Sequence, residues 1–221
     1  ALEWVLDNGA KYGADTSRLA IIGESAGANL TAALSYCATH PRPEPFAKRI
    51  FEGNIDLSCV APLYGLLDLH DGRRFWRDPE KSRRMASWIK GEIRGTAYSY
   101  LGRRVRRTLQ FPLASPLRLF EEPAPPGSRP LPPFFTTVGT ADPLLSDTIR
   151  LSDALHTRGA ECDLHVFRGE IHAFNVMLWR SAAREQWGAL FDFLETHMHG
   201  TSPAAPAEAP HYVSLAETFA E

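Results

Sequence analysis

Leu19-Ala20-Ile21-Ile22-Gly23-Glu24-Ser25-Ala26-Gly27 decides how the rest of the chain is read. The apolar run Leu19–Ile22, rich in β-branched residues, predicts a buried strand. Gly23-x-Ser25-x-Gly27 follows at once, and Ala28 to Ala38 reads as a helix. A serine in a glycine-flanked turn between strand and helix stands clear of the backbone, where its hydroxyl is presented for attack. Both glycines are expected to be needed, because a side chain at either position would collide with the neighbouring strand or helix. The pentapeptide alone recurs by chance, so its weight comes from the strand before it and the helix after it.

Three further apolar stretches read as strands: Asp56 to Leu63, Phe134 to Gly139 and Cys162 to Phe167. Leu145 to Thr157 reads as a helix closed by Gly159, and Ala1 to Tyr12 as a helix leading into the first strand. From Phe174 to His197, the spacing of Leu178, Ala182, Trp187, Leu190, Phe191 and Leu194 predicts one long amphipathic helix. Strands separated by helices imply an α/β fold, a mostly parallel sheet flanked by helices. Residues 68–114 break that rhythm and read as a helical, basic and aromatic insertion over the sheet edge. Six prolines within residues 121–133 make a stiff connector into the third strand. Residues 1–199 are therefore expected to form one α/β domain, and the Ala/Pro/Glu-rich residues 200–221 a flexible tail.

With 221 residues, 44% hydrophobic and 23% charged, the chain has the composition of a soluble globular protein. The net charge of -2 conceals an asymmetry: residues 73–107 hold half of the Lys and Arg against only Asp78, Glu80 and Glu92. That stretch carries no nucleic-acid-binding motif, so a solvated positive lid is the reading and no nucleic-acid partner is expected. Cys37, Cys59 and Cys162 have no zinc or CxxC spacing and read as core cysteines in a reducing compartment. No apolar run is long enough to span a bilayer and no signal peptide is visible, so a cytoplasmic location is expected.

A serine nucleophile needs a base, and the base needs an acid to hold its tautomer and stabilise its cation. Asp142 lies just past the Phe134–Gly139 strand, in Gly139-Thr140-Ala141-Asp142-Pro143-Leu144. His172 lies just past the Cys162–Phe167 strand, in Gly169-Glu170-Ile171-His172-Ala173-Phe174. Ser25, Asp142 and His172 thus all leave the carboxyl edge of the predicted sheet, where open α/β sheets bind ligands. Asp142 could alternatively cap the following helix, with Asp147 as the rival acid. His156, His165, His197 and His199 read as surface or internally satisfied histidines. His40, His70 and His211 have no supporting context. At Glu24 a structural contact is the preferred reading over tuning of the site. This chemistry calls for no cofactor and no metal.

Gly-Glu-Ser-Ala-Gly-Ala-Asn-Leu (23–30), Ala-Ser-Pro-Leu (114–117), Gly-Thr-Ala-Asp-Pro-Leu-Leu-Ser-Asp (139–147) and His-Ala-Phe (172–174) resemble the hormone-sensitive-lipase-like esterases. These are α/β-hydrolases in which nucleophile, acid and base follow in the order Ser, Asp, His. The resemblance runs from residue 1 to about 197 and is weak across 68–113. It implies carboxylic ester hydrolysis through an acyl-enzyme, on short-to-medium acyl esters, as part of lipid metabolism. Ser25 would be the nucleophile, Asp142 the acid and His172 the base, with the backbone N–H of Ala26 as an oxyanion donor. A serine peptidase or amidase, or a non-catalytic binding protein on the same scaffold, are the alternatives.

The family carries a His-Gly-Gly-Gly loop upstream of the elbow, and no such motif precedes Ser25 here. The chain is therefore expected to be the C-terminal part of a longer enzyme, weakly active or inactive alone. The first strand would then have one side bare, an edge on Leu19–Ile22 open to pairing with another chain.

Overall fold

Side chains alternate across a β-strand, so a strand covered on both faces is buried throughout and mostly apolar. Cys59–Leu63 (β2) and Phe134–Gly139 (β3) are such strands, and every residue in both is buried. They form the middle of a four-stranded parallel sheet in the order β1-β2-β3-β4, with Ala20–Glu24 as β1 and Cys162–Phe167 as β4. The computed structural model describes residues 1–70 and 111–198, together with Gly91 and Gly95. Within those residues β1 and β4 are the sheet's edges, and each exposes an aliphatic side chain: Ile22 is 45% and Val166 42% exposed.

Register is set residue by residue: Ala20 lies opposite Cys59 and Glu24 opposite Leu63. Phe134 pairs with Cys162 and Gly139 with Phe167. The strands are laid down in sequence order with parallel crossovers, which keeps the connecting helices on one face. That face is covered by Ala26–Thr39 (α2), Pro45–Glu52 (α3), Pro116–Glu121 (α4) and Leu145–Thr157 (α5). Its core joins Tyr36, Ala47, Val60, Leu117, Phe120, Phe134 and Leu151. On the other face Ser181–Met198 (α6) lays Leu190 and Phe193 against Cys59, Ala61, Leu63 and Phe135.

Several boundaries differ from the sequence reading. The first helix, α1, spans Leu2–Asn8 and tightens into a 3-10 turn at Gly9–Tyr12, ending where Gly13 takes φ 80°. The second strand begins at Cys59, not Asp56. The single long helix expected from Phe174 to His197 is broken: a 3-10 turn at Phe174–Val176 precedes α6. Ala173 has φ 57°, a left-handed backbone from which a right-handed helix does not continue. Leu178, counted in the amphipathic pattern, is 60% exposed. Helices α3 and α4 escaped the sequence reading, although Pro45 and Pro116 stand at their first turns, a start signal.

Of the expected insertion at 68–114, the ends and Gly91 and Gly95 are described; Phe111–Ala114 is a 3-10 turn and the other residues lie outside the described ones. Two side chains hold those ends. Asn29 Nδ2 donates to the carbonyls of Leu66 and Ala114, at 2.7 and 3.1 Å. The buried Asp147 accepts the N–H groups of Leu67 and Asp68 at 2.9 and 3.1 Å. The expected tail, residues 200–221, also lies outside the described residues, as does His199.

Candidate active site

The turn after β1 is tight. Ser25 sits at φ 54° and ψ -111°, and its N–H donates to the Leu63 carbonyl at 3.0 Å, the last rung toward β2. A Cβ on Gly23 would lie 2.4 Å from the Gly27 carbonyl oxygen and 2.5 Å from Thr31 Oγ1. Gly23 is therefore obligatory, because helix α2 returns directly across it. The expectation for Gly27 is corrected: a Cβ there meets nothing within 4 Å. Ala26 opens α2, a position whose backbone N–H has no intrahelical acceptor.

Asp142 lies in the turn leaving β3 and is 4% exposed. Its Oδ1 accepts the Leu144 N–H at 2.8 Å, and its Oδ2 lies 2.8 Å from His172 Nδ1. The capping role weighed against a site role is not seen: Leu144 is itself the N-cap of α5, which has no side-chain cap, and the bond from Asp142 to its N–H closes the turn ahead of the helix. Asp147 is the structural acid that holds Leu67 and Asp68. His172 Nε2 lies 2.9 Å from Ser25 Oγ. Since a carboxylate only accepts, Nδ1 carries the proton toward Asp142, and in the neutral ring Nε2 is then the nitrogen that accepts the serine hydroxyl. Segments 147 residues apart in sequence meet at this bond.

The loop carrying His172 is fastened at several points. The Ala141 N–H donates to the Glu170 carbonyl at 3.0 Å, and Arg180 Nη2 donates to the Glu170 carboxylate at 2.7 Å. Gly139 is required because a Cβ there would fall 2.0 Å from the Glu170 carbonyl oxygen.

Sequence reasoning missed Tyr64 and Asn175. The Tyr64 ring meets the His172 ring at 5.1 Å between centroids and 77° between planes. Its hydroxyl donates to Asn175 Oδ1 at 2.8 Å, and Asn175 Nδ2 donates to Glu24 Oε1 at 2.6 Å. Glu24 thus has the structural contact preferred for it. Burial, and then the Glu24 charge, push the Tyr64 phenol well above its ordinary pKa, so it remains a proton donor. No local pattern flags these residues, because their partners lie 111 and 151 positions away. His40, passed over for lack of context, is 1% exposed, stacked on Tyr36 at 4.0 Å and bonded to Arg158 at 2.7 Å.

A family described as alpha/beta hydrolase fold matches residues 1–176. Esterase LipQ of Mycobacterium tuberculosis is 28% identical over 162 residues, covering 72% of this chain and 33% of LipQ. A crystal structure of an esterase/lipase from an uncultured bacterium superposes with a TM-score of 0.66 at 20% identity, over 90% of this chain and 58% of that one. Carboxyl esterase 2 of the mycorrhizal fungus Tuber melanosporum gives a TM-score of 0.67 at 18% identity, over 90% of this chain and 60% of that one. The chain thus spans a third of that relative's length and less than two thirds of either solved structure.

Proposed function

Because this chain belongs to the alpha/beta hydrolase fold family, we propose that it carries the nucleophile, acid and base of a serine carboxylic ester hydrolase. The observation that carries the reading is the continuous chain Ser25 Oγ, His172 Nε2, His172 Nδ1, Asp142 Oδ2, with contacts of 2.9 and 2.8 Å. His172 takes the hydroxyl proton as Ser25 Oγ bonds to the ester carbonyl carbon. Asp142 holds the ring in the accepting tautomer and stabilises the imidazolium. The carbonyl oxygen gains the negative charge, and the Ala26 N–H is one donor to it. When the intermediate collapses, His172 protonates the departing alcohol. The same histidine then activates water, which releases the acid and regenerates Ser25. Short-to-medium acyl esters are the proposed substrates.

The test is a fluorophosphonate probe together with p-nitrophenyl butyrate hydrolysis. Wild-type protein should be labelled at Ser25, with turnover weak or absent in this chain alone, and Ser25→Ala should lose the labelling together with any turnover. Labelling that persists in Ser25→Ala would sink the assignment.

The outer edge of β1 is proposed to take a further strand, supported by Ile22 at 45% exposure on that strand. An edge charge, Ile22→Lys, should reduce self-association in size-exclusion chromatography. An unchanged elution profile in a self-associating sample would remove this proposal.

A further inference from the structure

Asn175 is completely buried, yet every contact recorded for its polar groups joins it to a different part of the fold. Its carbonyl accepts Trp187 Nε1–H from α6 at 3.0 Å. Its Oδ1 accepts the hydroxyl of Tyr64, the residue just after β2, at 2.8 Å. Its Nδ2 donates to Glu24, the residue immediately before Ser25, at 2.6 Å. Asn175 itself lies three positions after His172, beyond the left-handed Ala173. One amide therefore spans the gap between the turn that carries the hydroxyl and the loop that carries the imidazole.

The side-chain chemistry is specific. A carboxamide presents an acceptor and a donor from one planar group, matching a phenol that donates on one side and a carboxylate that accepts on the other. Aspartate at 175 would set two acceptors against each other, and leucine would leave both partners without their bond. Tyr64 is held on its backbone as well, with its N–H donating to the Thr137 carbonyl at 2.9 Å despite φ 38°. Its ring, so fixed, forms a wall across the His172 imidazole.

We propose that Asn175 is a positioning residue: by bridging Glu24 and Tyr64 it sets the Ser25 turn and the His172 loop in the register at which Nε2 meets Oγ. The proposal rests on the reading of Ser25 and His172 as nucleophile and base. Its effect belongs to the reacting geometry and not to substrate capture, since Asn175 has no exposed surface for a substrate to touch.

The experiment follows fluorophosphonate labelling of Ser25 over a range of probe concentrations, in wild type, Asn175→Ala, Tyr64→Phe, Glu24→Ala and Glu24→Gln, each first checked by thermal melting. Asn175→Ala should lower the maximal labelling rate by about 10- to 100-fold, with half-saturation unchanged, as expected for displacement of about 1 Å or less at the reacting pair. Glu24→Gln keeps an acceptor oxygen for Nδ2 and should restore most of what Glu24→Ala loses. The downfield imidazole N–H proton of His172, read by NMR, should broaden or shift in Asn175→Ala. Wild-type maximal rate in a folded Asn175→Ala, or Glu24→Gln as slow as Glu24→Ala, would overturn the proposal. If Asn175→Ala does not fold, Tyr64→Phe and the Glu24 pair carry the same comparison. A folded wild type that is never labelled overturns the serine-hydrolase reading instead, and the NMR comparison then decides the positioning role separately.

Discussion

At Gly23 and Gly27 two identical residues in one short motif do unequal work. Gly23 is where α2 recrosses β1, so an added methyl must displace backbone; over-packing of this kind costs about 1–3 kcal/mol or more. Gly27 lies inside α2 with open space at its Cβ position, and alanine there gains helix propensity of about 0.5–1 kcal/mol. Urea denaturation should therefore show a much lower midpoint for Gly23→Ala and an equal or higher one for Gly27→Ala. Equal losses in both would mean that the turn is crowded symmetrically, as the motif alone suggests. The sequence could locate Ser25 because a strand, a turn and a helix are local patterns. It could not rank the two glycines, because the carbonyl that one of them meets is placed by the helix's return path.

The elements differ in how far they could be read for the same reason. Phe134–Gly139 and Cys162–Phe167 have strand boundaries that coincide with the reading, the first as a fully buried run and the second as an edge strand whose apolar residues alternate with Asp163 and His165. Helices α3 and α4, of eight and six residues, are too short to show a 3.6-residue period. Residues 174–180 carry a misleading helical signal, because Leu178 and Ala182 keep helical spacing while Asn175 is set by long-range contacts. Asp142 and His172 were legible from their places after two strands, but the fastening of their loops was not. That fastening is testable at Gly139, where a methyl would fall 2.0 Å from the Glu170 carbonyl oxygen. Gly139→Ala should push the His172 loop away from the end of β3 and lower Ser25 labelling by about 10²-fold or more, along with stability. Near-normal labelling in that variant would show that the loop can retreat without carrying His172 with it.

Across the whole molecule, the cores on the two faces of the sheet hide groups whose chemistry burial suppresses. Burial pushes the Cys37 and Cys162 thiols up to about 12 and Cys59 to about 11, so thiolate is scarce at neutral pH. A thiol-disulfide reagent should modify these three cysteines only as fast as the fold opens, and rapid modification of the native protein would contradict that packing. The face covered by α2, α4 and α5 encloses His40, where α2 ends and Arg158 closes α5. Arg158 donates to His40 Nε2 at 2.7 Å and to the carbonyls of Leu119, Phe120 and Glu122, which ties α4 to both helices. Since Arg158 can only donate, His40 Nε2 accepts and the ring is neutral, with Nδ1 2.7 Å from Thr39 Oγ1. Burial first, and the Arg158 charge second, lower the His40 pKa from 6.5 to about 4. The sign follows directly: between pH 6.5 and 4 the unfolded chain binds a proton at His40 that the folded chain refuses. Stability must therefore fall as pH drops through that window, and the His40 contribution levels off below it. Replacing His40 with glutamine keeps an acceptor for Arg158 but removes the titration. Urea midpoints measured from pH 7.5 to 4 should decline more steeply for wild type than for His40→Gln; parallel curves would place a proton on native His40 and undo the Arg158 clasp as described.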